Sequence, residues 1–505
     1  VAGTTFDALV IGSGACGGWA AKQLTEAGLR VLVLEAGRGP TADALLFQVH
    51  RVRRRLGYRV EQDAARRERQ AVQSRTYAWP FHPHAFVDDR DNPYTTPEDA
   101  PFTWIRARQV GGRTAVRSHG RQFYRLSDFD LHAGSRDGQG PDWPLSLAEL
   151  APYYEQVERW IGLKGTPEGI ATLPDSHFSG PVEMTRPERL LKERLERRWP
   201  ERRLIVRRTA AAPVTLPAAA RTGRLTLRTH AVVSHLLHDP ATGRVRGAAY
   251  LDAESGAARE AHARVVVLAA GTIESTRILL HSRSAAHPDG LGNSSGQLGR
   301  NLMDHTYLLG IEARMPLAPE DLKAGDSWTY IPQFRNVHAP EKGFARGYGV
   351  QVFTMGDACH MVPFGEMLPR PENRVTLSRT VKDRWGIPVP HIECRHSQNE
   401  LRMGEDAVAA CVEMLTEAGF PVERVNRTLA PPGTAIHEVG TARMGSDPRT
   451  SVLNPFNQSW DVPNLYVTDG ACFPSQGPQN PTLTMMALTV RACAHLVGEL
   501  RAGKL

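Results

Sequence analysis

Lysine is nearly absent: the 505-residue chain has 7 against 54 arginines, so its net charge of +7 rests on guanidinium groups. A cluster of nine of these arginines lies in residues 186–208, RPERLLKERLERRWPERRLIVRR, where it alternates with glutamate and Leu190, Leu191 and Leu195 keep helical spacing. Interleaved acids cancel the field a phosphate backbone would feel, so the segment reads as a solvated helix face and not as a nucleic-acid surface. Cysteine is sparse and unpatterned. The six, at positions 16, 359, 394, 411, 472 and 493, form no CxxC pair and no metal-ligand spacing, which argues against a disulfide framework or a metal module. Reduced, buried thiols of a cytoplasmic protein are expected. No run approaches the ~18 apolar residues of a membrane span. No secretory leader is read either, because the first strand starts almost at once; a leader removed ahead of residue 1 would leave no trace in this sequence.

What is there suits a globular chain: 41% apolar residues, with 9 Trp and 15 Phe, enough for two or three domains or one large unit with an inserted domain. The most informative stretch is residues 6–37, FDALVIGSGACGGWAAKQLTEAGLRVLVLEAG. A β-branched apolar run meets Gly12-Ser13-Gly14-Ala-Cys-Gly17, then a helical stretch to Glu26, a stop at Gly28, a second strand at 31–34, and Glu35. This order describes a βαβ unit that holds a dinucleotide. Gly12 permits the tight turn, Gly14 lets the backbone approach a pyrophosphate, and Gly17 brings the helix close. Amides at the helix N-terminus then face the phosphates. Glu35 can accept hydrogen bonds from both ribose hydroxyls and repels a 2′-phosphate. That disfavours NADP and leaves FAD and NAD open.

Farther along, residues 41–101 are polar with aromatic punctuation. Tyr77, Trp79, Phe81, Phe86 and Tyr94 need burial, so an ordered excursion over a cofactor is expected. Gly111-Gly112 sits between basic arms, where paired glycines let a backbone lie flat against a ring or a phosphate. WPLSLAELAPYYEQVERWIGL reads as a helix capped by Ser146 with Glu149 three residues on, its apolar stripe being Leu150, Tyr153, Tyr154, Val157 and Ile161. Residues 204–271 are strand-like and end in ARVVVLAAGT, a buried parallel-strand run closing on Ala270-Gly271 ahead of a helix. Noncontiguous parts of the chain thus build one nucleotide-binding sheet. Between 306 and 425 long alternating strands, a turn at Trp385-Gly386 and a single helix over 399–418 predict an antiparallel sheet in a second domain.

Three separated motifs, GSGACGG with Glu35, VVVLAAGTIEST, and HEVGTARMG followed by LYVTDGACFPSQGPQNPTLTMMALT, occur in this order. By them the chain resembles the glucose-methanol-choline (GMC) flavoprotein oxidoreductases over essentially its whole length, and its middle segments look like a bacterial branch acting on sugars and polyols. The resemblance implies an α/β fold: a Rossmann-like FAD-binding domain built from residues 1–130, 200–305 and 430–505, and a substrate domain with an antiparallel sheet from 131–199 and 306–429. It implies FAD as cofactor and His437 with Asn480 as a catalytic pair. Alcohol oxidation sends a hydride to flavin N5 while a proton leaves oxygen, so a base must reach the hydroxyl. Imidazole, with an ordinary pKa of about 6.5, suits that proton. An asparagine holds the same hydroxyl without competing for it.

The same resemblance places FAD contacts at Gly12, Ser13, Gly14, Gly17, Glu35, Ala36, Arg108, Gly111, Gly112, Val233, Ala270, Gly271, Asp469, Gly470, Pro481 and Thr482, with no metal. Val233 would pair with adenine through its backbone, and the amides after Pro481 would stabilise charge on the reduced flavin. Some relatives attach FAD through a histidine behind the glycine pair; Val116 stands at that position and His119 is nearby, so noncovalent FAD is expected. The substrate is expected to be a sugar, glycoside or polyol, with residues 117–124 and 355–364 lining its pocket. A dehydrogenase is favoured over a peroxide-producing oxidase, the acceptor being open among oxygen, quinone, dye or protein. A non-redox FAD-containing lyase or a flavin-bound sensor is the alternative class.

Overall fold

The uninterrupted apolar run of the first segment folds as β1 (Phe6–Ile11), which is followed by α1 (Ala15–Glu26) and β2 (Val31–Leu34). In the computed structural model, residues 6–39, 64–116, 121–211, 215–308, 310–317, 327–338 and 343–505 are described. His119 and residues 41–63 lie outside them. After several short helical turns come two longer helices, α2 (Leu147–Ile161) and α3 (Arg186–Arg198). Both begin in reciprocal capping boxes, Ser146 with Glu149 and Thr185 with Glu188, which satisfy amides that a helix start otherwise leaves bare.

The chain then lays down β3 (Ile205–Val206), β4 (Leu225–Arg228), β5 (Ala231–Asp239), β6 (Arg244–Asp252) and β7 (Ala258–Leu268), and α4 (Thr272–His281). Next come β8 (His305–Tyr307), β9 (Ile311–Arg314), β10 (Ser327–Ile331), β11 (Tyr348–Met355), β12 (Ala358–Glu366), β13 (Arg374–Lys382) and β14 (Pro388–Glu393). The C-terminal part adds α5 (Gln398–Glu417), β15 (Val422–Val425), β16 (Leu465–Val467) and α6 (Thr482–Arg501).

One sheet runs β4-β2-β1-β7-β6-β5, with β16 also on β7. Its β4, β2, β1, β7 and β16 are parallel, whereas β5 and β6 are antiparallel. β7 can serve both because it is long: residues 258–262 pair with β6, and 263–268 pair with β1. Ile11 is in register with both Leu34 and Leu268, so the loops carrying Gly12, Glu35, Ala270 and Asp469 all leave the same carboxyl edge. That edge is where an open α/β sheet binds ligands. The second sheet is antiparallel, β15-β9-β12-β11-β10-β3, with β8 on β12. The architecture is therefore the predicted α/β fold with a separate antiparallel sheet, and the first sheet proves to be mixed because β5 and β6 join it antiparallel.

Several local expectations change. β3 leaves the 204–271 strand region and pairs with β10 in the antiparallel sheet. The β13–β14 hairpin, with Trp385-Gly386 at its turn, stands outside both large sheets and packs on α4. The arginine-rich segment is not uniformly solvated: Arg208 is fully buried, its guanidinium donating to the carbonyls of Pro174 and Leu173 and pairing with Asp175. Delocalised charge and five donors suit arginine to such a buried position. Tyr77, expected to be buried, is 55% exposed. Contrary to the expectation that no run could span a membrane, α6 is long and apolar enough to do so. Its apolarity is used in the core, where Leu483, Met486, Leu488, Val490 and Leu496 are buried and the helix packs on α1 and α2. All six cysteines are free and buried.

Candidate active site

A cavity of about 1090 Å³ runs between the carboxyl edge of the parallel strands and the face of the antiparallel sheet. At one end are Gly12, Ser13, Gly14, Glu35, Ala36 and Val233; at the other are His437, Asn480, Gln351 and Phe364. Gly12 has φ +95° and a Cβ there would stand 2.3 Å from the Ala269 carbonyl oxygen, so only glycine makes this turn. Gly14 is the opposite case. A Cβ there meets nothing within 4 Å, which leaves the backbone bare toward the cavity. Neither α1 nor α6 has a side-chain cap or an acid in its first turn. The residues opening both helices, Gly14 and Ala15, Pro481 and Thr482, line the same space. Two positive helix ends facing one cavity suit an anionic, extended ligand such as a dinucleotide.

Glu35 is buried at the end of β2. Its Oε2 accepts from the Ser13 hydroxyl and, at 3.1 Å, from the Ser13 amide; Oε1 accepts from the Gly37 amide at 2.7 Å. Burial pushes its carboxyl above the usual range, and these hydrogen bonds pull it back. The Gly111 amide donates to Ser13 Oγ at 3.1 Å, tying the paired-glycine loop to the first turn. Gly111 and Gly112 both take positive φ, +87° and +55°. Arg108 also lines the cavity and donates to Asn92 Oδ1 at 2.5 Å. Asp469 organises rather than projects: its carboxylate accepts from Gly271 N and Ala471 N, both at 3.0 Å, and from Ser275 Oγ at 2.5 Å.

Of the sequence-derived positions, Gly17, Gly111 and Gly470 are not on the cavity wall, whereas Gly112, Ala270, Gly271, Asp469, Pro481 and Thr482 are. Gly17 and Gly470 have packing reasons for lacking a side chain, since a Cβ would meet the Gly12 carbonyl and Thr272 Oγ1 respectively. The Val233 carbonyl accepts from Arg277 at 2.5 Å. Val116 is buried beside Trp79, Phe86 and Ile105, away from the wall. Residues 117–120 of the two segments expected to line the substrate end lie outside the described residues; of the rest, Arg121, Gln122, Phe123, His360, Val362 and Phe364 line the cavity, and Met355 instead points to solvent.

His437 and Asn480 come together. Asn480 Nδ2 lies 3.0 Å from His437 Nε2, and the His437 Nδ1 lies 2.9 Å from Nδ1 of His305. The His437 backbone is clamped as well: its amide donates to Asp304 Oδ1 at 2.9 Å and its carbonyl accepts from Gln476 Nε2 at 2.8 Å. Ile436 before it has φ +64°, a left-handed conformation that is costly for a β-branched residue. Arg113 holds this bend, donating to the Ile436 carbonyl at 3.2 Å and to Glu438 Oε2 at 2.8 Å. Buried beside Glu438, Asp304 has its carboxyl pushed up to about 7 by desolvation, against the hydrogen bonds it receives from His437, Gly433 and His305 amides.

Asn480 ends a buried loop that is fixed from several sides. Trp143 Nε1 donates to Ser475 Oγ at 2.9 Å, the Gln476 amide to Glu366 at 3.1 Å, and Gln479 Nε2 to Asp130 Oδ2 at 3.1 Å. A line of side chains orients its amide: Tyr124 OH donates to Gln122 Oε1 at 2.8 Å, Gln122 Nε2 to Gln351 Oε1 at 3.0 Å, and Gln351 Nε2 points to Asn480 Oδ1 at 3.5 Å. Aromatic faces complete this end. Trp328 and Phe353 pack edge to face at 4.4 Å, and Tyr307 tilts on Phe364 at 5.1 Å. Sequence reading missed His305, Asp304, Gln351 and Trp328; only the Asp304-His305 dipeptide offered adjacent titratable groups as a signal.

The sequence profile of the GMC oxidoreductase family matches residues 6–307, and that of its C-terminal part, also described as GMC oxidoreductase, matches 369–489. The chain is similar to the 2-methyl-1,2-propanediol dehydrogenase of Mycolicibacterium austroafricanum, 29% identical across 96% of this chain and 94% of that one. It is 26% identical to the fructose dehydrogenase large subunit of Gluconobacter japonicus across 98% of each. Among solved structures, pyridoxine 4-oxidase from Mesorbium loti superposes with a TM-score of 0.65 at 18% identity, covering 97% of this chain and 98% of that one.

Proposed function

Because the chain belongs to the GMC oxidoreductases, a family that binds FAD and oxidises alcohols, we propose that it oxidises a sugar, glycoside or polyol hydroxyl to a carbonyl with His437 as the base. The observation that carries this reading is the 3.0 Å contact between His437 Nε2 and Asn480 Nδ2 at the far end of the cavity that starts at the Gly12–Gly14 turn. Gly12, Ser13, Gly14 and the start of α1 would hold the pyrophosphate of FAD. Glu35 would take the ribose, and the start of α6 would face the ring. When bound, FAD supplies the hydride acceptor. Noncovalent FAD is part of the proposal, since the buried Val116 offers no nucleophile.

The chain's own residues do the remaining work. Asn480 holds the substrate hydroxyl by its amide and His437 Nε2 takes the hydroxyl proton. The aromatic faces of Trp328, Phe353 and Phe364 stand beside the amides of Gln122 and Gln351. C–H faces of a polyhydroxylated ring stack on the former while its hydroxyls bond the latter, which supports a sugar or polyol over a simple alkanol. The diol and fructose dehydrogenases among its relatives support a dehydrogenase, and the paromamine and hydroxyparomomycin oxidases among them support a peroxide-producing oxidase as the second reading. Anaerobic mixing of the holoenzyme with sugars, glycosides, diols and simple alcohols tests the class: bleaching of the flavin by polyhydroxylated compounds is expected, and bleaching by none of the four overturns it. Peroxide yield under air, set against dye reduction, separates the two acceptors.

A further inference from the structure

Burial leaves one proton arrangement for the two facing imidazoles. Nε2 of His305 lies 2.6 Å from the Gly477 carbonyl oxygen, which can only accept, so this nitrogen carries the hydrogen. His305 is buried and desolvation pushes its pKa down to about 4, so the ring is neutral near pH 7 and its Nδ1 is a bare acceptor. The hydrogen on the 2.9 Å line between the two Nδ1 atoms then belongs to His437. A neutral His437 that carries its hydrogen on Nδ1 has its lone pair on Nε2, and that nitrogen accepts from Asn480 at 3.0 Å. The line of Tyr124, Gln122 and Gln351 agrees, because it turns the Asn480 carbonyl oxygen away from His437 and the amide toward it.

We propose that His305 is a positioning residue: by accepting from Nδ1–H of His437 it fixes the tautomer whose Nε2 faces the cavity without a proton. This rests on the reading of His437 as the base. It adds a second effect. When Nε2 takes the substrate proton the ring becomes a cation, and the Nδ1–H bond to a neutral His305 becomes charge-assisted, strengthening as the proton arrives. Nothing in this arrangement requires His305 to titrate or to touch the substrate. The tautomer logic is that of an acceptor orienting a catalytic imidazole, here supplied by a second imidazole where a carboxylate serves elsewhere.

Two substitutions separate the acceptor role from a role in holding the Gly477 loop. In His305→Asn the side-chain oxygen can stand where Nδ1 was and accept from His437, while the bond to Gly477 is lost. In His305→Gln the terminal amide can reach Gly477, but the acceptor beside His437 is lost. Anaerobic flavin bleaching by a reactive alcohol is expected to slow by about 10- to 100-fold in His305→Gln, short of the about 10²–10⁴-fold typical of losing a positioned base, and to stay within about threefold of wild type in His305→Asn. The KM is expected to be little changed in both. Two-bond ¹H–¹⁵N spectra of histidine-labelled protein, with the His437 signals assigned by their loss in His437→Ala, are expected to show Nδ1–H in wild type and His305→Asn and a mixture of tautomers in His305→Gln. A wild-type His437 protonated on Nε2, or the reverse order of the two variants, overturns the proposal. If His437→Ala itself bleaches at the wild-type rate, the assignment of the base fails instead, and the spectra still decide the tautomer.

Discussion

The side-chain amide of Asn480 donates to Nε2 of His437 across 3.0 Å, although 43 residues separate them in the chain. The donor arrives on a buried loop ahead of α6, and the acceptor on a left-handed bend held by Arg113 and Asp304. Each is anchored through hydrogen bonds to neighbouring residues, so the pair is formed before any substrate arrives.

That preorganisation makes Asn480→Ala informative. Removing the amide proposed to hold the reacting oxygen is expected to slow flavin reduction by about 10²–10³-fold with FAD content unchanged. Stopped-flow bleaching alongside the absorbance ratio of flavin to protein checks both.

The Gly14 position is open in the folded chain, so a larger side chain there is tolerated by the protein and not by the ligand. Gly14→Val is expected to yield folded protein without FAD, since the branched side chain fills the approach to the α1 amides. Circular dichroism and flavin content measure this; full flavin occupancy in the variant contradicts it.

Trp328 stands at the substrate end and packs on Phe353. Trp328→Ala removes a stacking face worth about 0.5–1.5 kcal/mol and is expected to raise KM by about tenfold or less with kcat nearly unchanged. A large fall in kcat with constant KM would place Trp328 in the chemistry and not in binding.

Asp130 supplies a pH-dependent term in stability. Its carboxyl is raised from 3.8 to about 7, first by desolvation and also by Glu366, while Ser127 and Gln479 pull the other way. Between these two values the folded chain holds a proton that the unfolded chain has released, so this contribution is full below about pH 4 and is lost as pH rises through 7. Asp130→Asn keeps an oxygen for Ser127 and Gln479 and does not titrate. The melting temperature of the wild type relative to this variant is therefore expected to fall from pH 4 to pH 7.5, and a difference independent of pH refutes the assignment.

How much of this was legible in the sequence depends on how local the signal is. β1, the glycine turn, α1, β2 and Glu35 follow from residues adjacent in the chain, as do the capping boxes of α2 and α3. β12 does not, because Pro363 interrupts its strand pattern and only pairing with β11 on one side and β8 and β9 on the other defines it. His305 was silent for the same reason: β8 has three residues, and its pairing along Phe364, Gly365 and Glu366, the last opposite His305, brings that ring to His437 from 132 positions away. The apolar α6 looked ordinary in sequence and meets the length and apolarity of a membrane span, yet its packing on α1 and α2 uses that surface. Motif residues located the two ends of the cavity; the aromatic and amide wall around the His437 end is a product of sheet pairing.

The most direct measurement is the single-turnover rate of flavin reduction in His437→Ala, mixed anaerobically with a sugar or polyol that bleaches the wild-type enzyme. With FAD retained, a fall of at least about 10²-fold is expected for the loss of a positioned base. A rate near that of the wild type would remove His437 from the chemistry and with it the proposed mechanism.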